Sequence, residues 1–320
     1  MTTDFTLSPL VLGADDLTAL SPDARRMVES ALTAHGRVLL RGFAVGDTSA
    51  FSAAVRALGG DSLAYSERSS PRKQLDKGVY TSTEYTREEE IFFHNENSYQ
   101  DAWPRWLFFF CQQPPETGGA TPLADVRRVT QSIDPAVVEE FRSRGWRHVR
   151  NFHPSFGLPW QEVFGTDDRA AVEAYCHAHS IRCAWSPIGE LRTEADRSAM
   201  HRHPDTGEEL WFNHVAFFHW STLPERVSSV LLELFGRDNL PNDTTFGDGG
   251  EIPEGIVAHL RDQYREAASR FDYETGDVLM IDNMHIAHAR EPFTGDRSIA
   301  VAMTGLHKAQ TGAGAGTVPA

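Results

Sequence analysis

Two pairs of apolar, strand-like runs stand at opposite ends of a long polar-and-helical middle, and they constrain this chain more than any other feature. The first pair is IFFHNENSY and RWLFFFCQQ, within residues 91–113; the second is GDVLMID (276–282) and RSIAVAMTG (297–305). Each run has the strand signature of β-branched and aromatic residues, and the last alternates apolar with small or polar positions. Runs so far apart in sequence bury their apolar faces by pairing with one another. A single β core with helices packed outside is the expected result, one domain over residues 1–305. No internal repeat interrupts it. The tail KAQTGAGAGTVPA is small and Gly/Ala-rich, and residues 306–320 are expected to be disordered.

Helices are expected where caps and period agree. Ser21 and Pro22 open ARRMVESALTAHG, which ends at Gly36; Asp47 opens TSAFSAAVRALGG. Further helices are expected in SIDPAVVEEFRSRG, capped by Ser132 or Asp134, in 167–179, in ERVSSVLLELFG and in 253–269. The stretch ELWFNHVAFFHW (209–220) is aromatic and reads as a strand. Residues 61–90 are polar and turn-rich, and either hide short strands or line a site.

The 320 residues carry 30 Lys and Arg against 45 Asp and Glu, a net charge of −15. Phosphate binding needs a basic footprint, so nucleic acid is not expected as a partner. No run of about 18 apolar residues is present, so no membrane span is expected. Three cysteines do not make a disulfide framework, and a cytoplasmic location is expected. Fourteen histidines are the remaining anomaly, because imidazole is the commonest metal ligand.

His94-Asn95-Glu96 is the first chemical candidate. On a strand, residues i and i+2 share a face, so one imidazole and one carboxylate would converge there. That is two thirds of a facial triad. In DNMHIAHAR (282–290), a polar turn follows an apolar strand, and either His285 or His288 is placed to supply the third ligand. Arg297 opens the last strand with a fork suited to a carboxylate. TGGATP (117–122) offers paired glycines and the hydroxyl of Thr121. Tyr99, Arg150 and Asn213 are candidate substrate contacts. The close pairs His177/His179 and His201/His203 do not form a metal site on this reading. The first sits on a helix, where i and i+2 diverge, and the second in a surface loop.

Taken together, GRVLLRGF, STEY followed by HNENSY, FFFCQQPPETGGATPLADVR, HPDTGEELWFNH and GDVLMIDNMHIAHAREPFTGDRSIAVAM resemble the taurine dioxygenase-like (TauD/TfdA) Fe(II)/2-oxoglutarate oxygenases, over residues 30 to 305. The branch holding SyrP-type and clavaminate synthase-like amino-acid hydroxylases looks nearest. The resemblance implies a double-stranded β-helix (jelly roll) core with flanking helices. It implies Fe(II) held by His94, Glu96 and His288, with His288 rather than His285 as the distal ligand. It implies 2-oxoglutarate held by Thr121 and Arg297, and O₂ as the second co-substrate. Arg290 is expected to brace the distal-histidine turn. Val301 stands where taurine dioxygenase has its sulfonate-binding arginine, so a sulfonate substrate is not expected. Related halogenases lack the carboxylate ligand, so Glu96 implies hydroxylation of an unactivated C–H, with succinate and CO₂ released. Desaturation or cyclisation is the alternative outcome, and a catalytically silent binding protein the alternative of another class. An amino-acid-like substrate is implied, free or tethered to an acidic carrier protein. Arg68, Pro71-Arg72-Lys73 and Lys77 form the one basic cluster that could meet such a carrier.

Overall fold

The computed structural model describes residues 5–64, 67, 73–82, 85–154 and 156–309. Arg68, Pro71, Arg72 and the end of the tail, residues 310–320, lie outside the described residues, as do Thr83 and Glu84 of the STEY segment.

Three of the four apolar runs pair with one another in one sheet, while Ile91–His94 pairs with Ile286–Arg290 in a second. A seven-stranded sheet has the order Thr6–Leu7, Arg37–Leu40, Val278–Asp282, Ala102–Gln113, Ser298–Lys308, Val79–Thr81, Gln74–Asp76. A four-stranded sheet has the order Ala268–Ser269, Leu123–Asp125, Ile286–Arg290, Ile91–His94. Strand Ser298–Lys308 continues past residue 305, and Ala309 N–H donates to Asp101.

Side-chain alternation builds two cores from one sheet. Leu39, Leu107, Phe109, Cys111, Leu279, Ile281, Ile299, Val301 and Met303 form one apolar cluster with Leu123 and Ile286 of the smaller sheet. Their neighbours Val38, Leu40, Phe108, Phe110, Val278, Met280, Ala300 and Ala302 form another with Val28, Leu32, Phe51, Ala54 and Val55. The large sheet is thus covered by the small sheet on one face and by the N-terminal helices on the other. That is the expected jelly roll with flanking helices.

The helices follow their caps. Ser21 Oγ accepts from Ala24 N–H ahead of Pro22–His35, and Asp47 Oδ1 accepts from Ala50 N–H ahead of Thr48–Gly59. Asp134, not Ser132, caps Pro135–Arg144. The middle adds an antiparallel sheet in the order Ile181–Trp185, Leu191–Arg197, Trp146–Phe152, Asn242–Phe246.

One expectation fails. ELWFNHVAFFHW is not one strand: Glu209–Trp211 is a short strand and Val215–Phe218 a helical turn. The break falls at Asn213, whose Oδ1 accepts from Val215 N–H at 3.0 Å and starts the turn. Residues 61–90 both hide strands, Gln74–Asp76 and Val79–Thr81, and line a cavity described below.

Gly36 joins the N-terminal helix to the core. It ends Pro22–His35 with φ +69°, and its carbonyl accepts from Asp282 N–H at 2.8 Å. A Cβ there would lie 2.9 Å from both His285 Cβ and Ile286 Cγ1. Gly36→Ala therefore combines a left-handed backbone, costing about 1–3 kcal/mol, with a clash. Gly13 has φ +67° and open space around its missing Cβ. Gly36→Ala should lower Tm clearly more than Gly13→Ala; equal losses would show that the contact with 285–286 is unimportant.

Buried neutral histidines set an acid limit. Burial, and secondarily the charge of Arg150, pushes His148 down to about 3; burial pushes His201 down to about 4. Their folded pKa values lie below the unfolded value of about 6.5, so only the unfolded chain gains protons between. Stability should fall as pH drops below about 6.5, by about 1.4 kcal/mol per pH unit per such histidine. Urea midpoints from pH 7 to 5 would record the slope, and His148→Gln should flatten it.

Candidate active site

His94 is the last residue of strand Ile91–His94, and His288 lies inside Ile286–Arg290. The strands are antiparallel and His288 pairs directly with His94. Cross-strand partners point to the same face, and the two ring centroids are 4.3 Å apart. Glu96 completes the group, its Oε2 3.8 Å from His288 Nε2. Donor atoms of the three residues all lie within 4.8 Å of one another.

Glu96 arrives by a different route from the one the sequence suggests. The strand ends at His94, and residues 96–99 form a turn in which Asn97 takes φ 57°. Strand alternation does not bring the carboxylate round; Asn283 does. Asn283 Oδ1 accepts from Glu96 N–H at 2.8 Å, and its Nδ2 donates to the carbonyls of Glu96 and Pro104, each at 2.9 Å. Asn95 Nδ2 returns a bond to the Asn283 carbonyl at 2.6 Å. The buried Asn283, the first residue after strand Val278–Asp282, thus fixes the Glu96 turn to the turn that leads into strand Ile286–Arg290.

His94 is oriented as well. Its Nδ1 lies 2.9 Å from the Phe92 carbonyl, which can only accept. Nδ1 therefore carries the proton and Nε2 keeps its lone pair, the tautomer a metal ligand needs. His288 packs edge-on to Phe109 at 5.0 Å.

Position separates His285 from His288. His285 belongs to a second buried cluster with His203 and Asp282, its ring stacked on His203 at 4.0 Å. The expectation that His203 lies on the surface is incorrect: it is buried, and its Nε2 donates to Asp282 Oδ2 at 2.9 Å. His203 Nδ1 accepts from the backbone N–H groups of Asp205 and Thr206, so Nε2 must hold the proton. Arg105 Nε lies 3.6 Å from the same Asp282 oxygen. Burial opposes charge on Asp282, but the His203 bond and the nearby His285, His203 and Arg105 outweigh it and hold the carboxyl below its ordinary value. This cluster is closed by hydrogen bonds and cations, and its Asp282 Oδ1 accepts from Met284 and His285 N–H to shape the Asn283 turn. His177 and His179 give no chelating pair; His179 stacks on Tyr175 and bonds Asp101.

Thr121 and Arg297 face a narrow pocket shared with His94, His288, Phe109, Ile299 and Val301. Tyr273 O–H donates to Thr121 Oγ1 at 3.1 Å. Arg297 Nε donates to the Gly119 carbonyl at 2.8 Å, and Nη2 lies 3.5 Å from Thr121 Oγ1. Burial lowers the pKa of Arg297, and among the described residues no carboxylate pairs with it. Gly119 must be glycine: it has φ +64°, and a Cβ would lie 3.2 Å from Arg297 Cδ.

His94 and Glu96 also open onto a larger cavity of about 390 Å³, lined by Tyr85, Glu89, Glu90, Phe92, His214, Phe217, Phe218, Leu223, Pro224 and Arg261 among others. The three substrate contacts expected from sequence do not line it. Asn213 spends its amide on the Ala199 carbonyl and Val215 N–H. Tyr99 stands behind His214, edge-on at 5.0 Å, and donates to the Glu67 carbonyl. Arg150 is buried on the middle sheet beside Glu67, its guanidinium over Phe152. Arg290 does not brace the distal-histidine turn; it donates to the carbonyls of Tyr85, Thr86 and Glu89 and so fastens the cavity's outer segment to the distal strand.

His214 and Arg261 are the cavity residues that sequence reasoning missed. His214, read as part of a strand, precedes the helical turn instead; its Nδ1 lies 2.6 Å from Ser98 Oγ, and its ring 5.8 Å from that of His94. Arg261 looks like one more surface charge of an amphipathic helix.

Comparison with known proteins agrees with this geometry. Residues 4–303 match the family described as taurine catabolism dioxygenase TauD, TfdA family. The dapdiamide synthesis protein DdaC of Enterobacter agglomerans is 40% identical over 313 residues, covering 95% of each chain. A clavaminate synthase-like protein of Arabidopsis thaliana is 28% identical over 289 residues, covering 86% of this chain and 83% of that one. Among solved structures, an asparagine oxygenase in complex with Fe(II), 2S,3S-3-hydroxyasparagine and succinate superposes with a TM-score of 0.57 at 14% identity, covering 90% of this chain and 81% of that one. The chain belongs to the TauD/TfdA family of Fe(II)- and 2-oxoglutarate-dependent dioxygenases.

Proposed function

We propose that this dioxygenase hydroxylates an unactivated C–H of an amino acid or amino-acid-derived molecule, with His94, Glu96 and His288 holding Fe(II). The observation that carries the metal assignment is the donor set itself. Two imidazoles and one carboxylate converge within 4.8 Å, and His94 is held in the ligating tautomer. Bound there, Fe(II) supplies the oxidative decarboxylation of 2-oxoglutarate to succinate and CO₂, coupled to insertion of oxygen into the substrate.

The chain's own groups do the rest. Arg297 offers its fork, and Thr121 its hydroxyl, to the far carboxylate of 2-oxoglutarate; the missing protein counter-ion at Arg297 supports this. Phe109, Ile299 and Val301 give that co-substrate an apolar wall and keep water from it. Asn283 holds Glu96 in place through the backbone. The larger cavity takes the substrate, with Phe92, Phe217 and Phe218 excluding water from the reacting face. Glu96 fills the position a halide would need, which supports hydroxylation over halogenation. The names of the relatives support an amino-acid-like substrate and a biosynthetic role, and a cytoplasmic location fits the three free cysteines.

The test is succinate release from purified protein given Fe(II) and 2-oxoglutarate. Wild type should bind Fe(II) and release succinate slowly without substrate. His94→Ala and Glu96→Ala should lose metal affinity in calorimetry and reduce succinate to the no-enzyme level. A wild-type protein that neither binds Fe(II) nor releases succinate with any acid offered would sink the reading.

Arg297→Met should raise KM for 2-oxoglutarate by about 10- to 100-fold, the worth of a charged hydrogen-bonded pair. Arg297→Lys should recover part of that loss, because it keeps the charge but not the fork. An unchanged KM would remove Arg297 from the site.

A further inference from the structure

Three arginines stand near the mouth of the cavity that contains His94 and Glu96, and two of them have carboxylate partners. Arg226 pairs with Glu89 at 3.0 Å and Arg265 reaches Glu90 at 3.6 Å. Arg261, one helical turn before Arg265 on helix Glu254–Glu266, lines the cavity itself. Among the described residues no carboxylate lies within ion-pair distance of it. Its guanidinium rests 3.6 Å from the centre of the Phe92 ring, and Nη1 donates to the Ala216 carbonyl at 3.0 Å.

That leaves most of a five-donor fork uncommitted. The charge is also poorly compensated. Burial, then the neighbouring Arg265, pushes Arg261 down to about 10, against the weaker pull of Glu90 and Asp262. An anion beside it would offset both effects. The two carboxylates on the same wall are already taken by Arg226 and Arg265. The cavity's imidazole neighbour His214 already has a partner, its Nδ1 lying 2.6 Å from Ser98 Oγ. The remaining wall is largely apolar, from Phe92, Phe217, Phe218, Leu223 and Pro224.

Building on the assignment of this cavity to the substrate, we propose that Arg261 anchors a free carboxylate of the substrate. The substrate is then an organic acid with an apolar body, whose carboxylate is not consumed in a thioester. The anchor sits on the middle segment and the metal-binding residues on the core strands, so the acid is held at one end while a C–H is presented to the His94 side. A carrier-tethered substrate joined through that same carboxyl would leave Arg261 facing a neutral thioester, with nothing to offset its buried charge.

The experiment uses the Fe(II)- and 2-oxoglutarate-loaded protein and a panel of L-amino acids and N-acyl amino acids. Each is offered as the free acid, the primary amide and the N-acetylcysteamine thioester. At least one free acid should lift succinate release above the substrate-free background and gain one oxygen atom by mass, while its amide and thioester should not. For that acid, Arg261→Met should raise KM by about 10- to 100-fold, and Arg261→Lys should recover part of it. The proposal is overturned if amide or thioester serves as well as the acid, if KM is unmoved by Arg261→Met, or if no acid exceeds background. The comparison of acid with amide and thioester uses wild type alone, so it stands even if the variants misfold. Loss of the substrate-free background itself would instead fault the Fe(II)/2-oxoglutarate assignment.

Discussion

The register between strands Ile91–His94 and Ile286–Arg290 is the constraint on which the site rests. Because His288 pairs directly with His94, two imidazoles nearly 200 residues apart face each other across one ladder. A slip of one residue would send His288 to the opposite face. The register is held from both ends. Ile286, at one end of the strand, is locked in the inter-sheet core, and Arg290, at the other end, ties down the 85–89 segment. Asn283 then couples the turn carrying Glu96 to the turn before His288, so the third donor is tied to the same frame as the first two.

Much of this was legible in the sequence, for a physical reason. Period-two alternation in 102–113, 278–282 and 298–308 must bury two faces, and the structure gives each face its own core. His94 and His288 sit on the smaller sheet packed against those strands, and Thr121 and Arg297 just before strands Leu123–Asp125 and Ser298–Lys308, so the placement of these four follows once the sheets form. Glu96 was found for the wrong local reason. Glu96 does lie beside His94 and His288, but its carboxylate depends on a turn and on a partner at 283 that no local pattern reveals.

What the sequence hid lies in the middle of the chain. Aromatic residues in 209–220 favour a strand, and the local hydrogen bond of Asn213 overrides them. Arg150 and Tyr99 are chemically suitable for a substrate, yet Arg150 sits on the middle sheet and Tyr99 in the turn after His94, and neither lines the cavity. Arg261 shows the converse. In RDQYRE it is one charge among four on a helix with an exposed face, and only the docking of that helix against Phe92 places it in the cavity. The histidine excess resolves the same way: several of the 14 are packing and hydrogen-bonding groups in the interior.

The two pockets that meet at His94 draw on different parts of the chain. The narrow one is walled chiefly by core strands and the 119–121 turn, whose residues also fill the space between the sheets. The wide one is walled by 85–92, 214–224 and Arg261, which pack in a separate apolar cluster. Substitutions at Phe217, Leu223 or Arg261 can therefore alter what is oxidised without disturbing the strands that keep the oxidising machinery in register. Divergence within such a scaffold has an easy direction: new substrates can evolve by rewriting residues 85–90, 214–224 and helix Glu254–Glu266, while the paired strands remain fixed by their own packing.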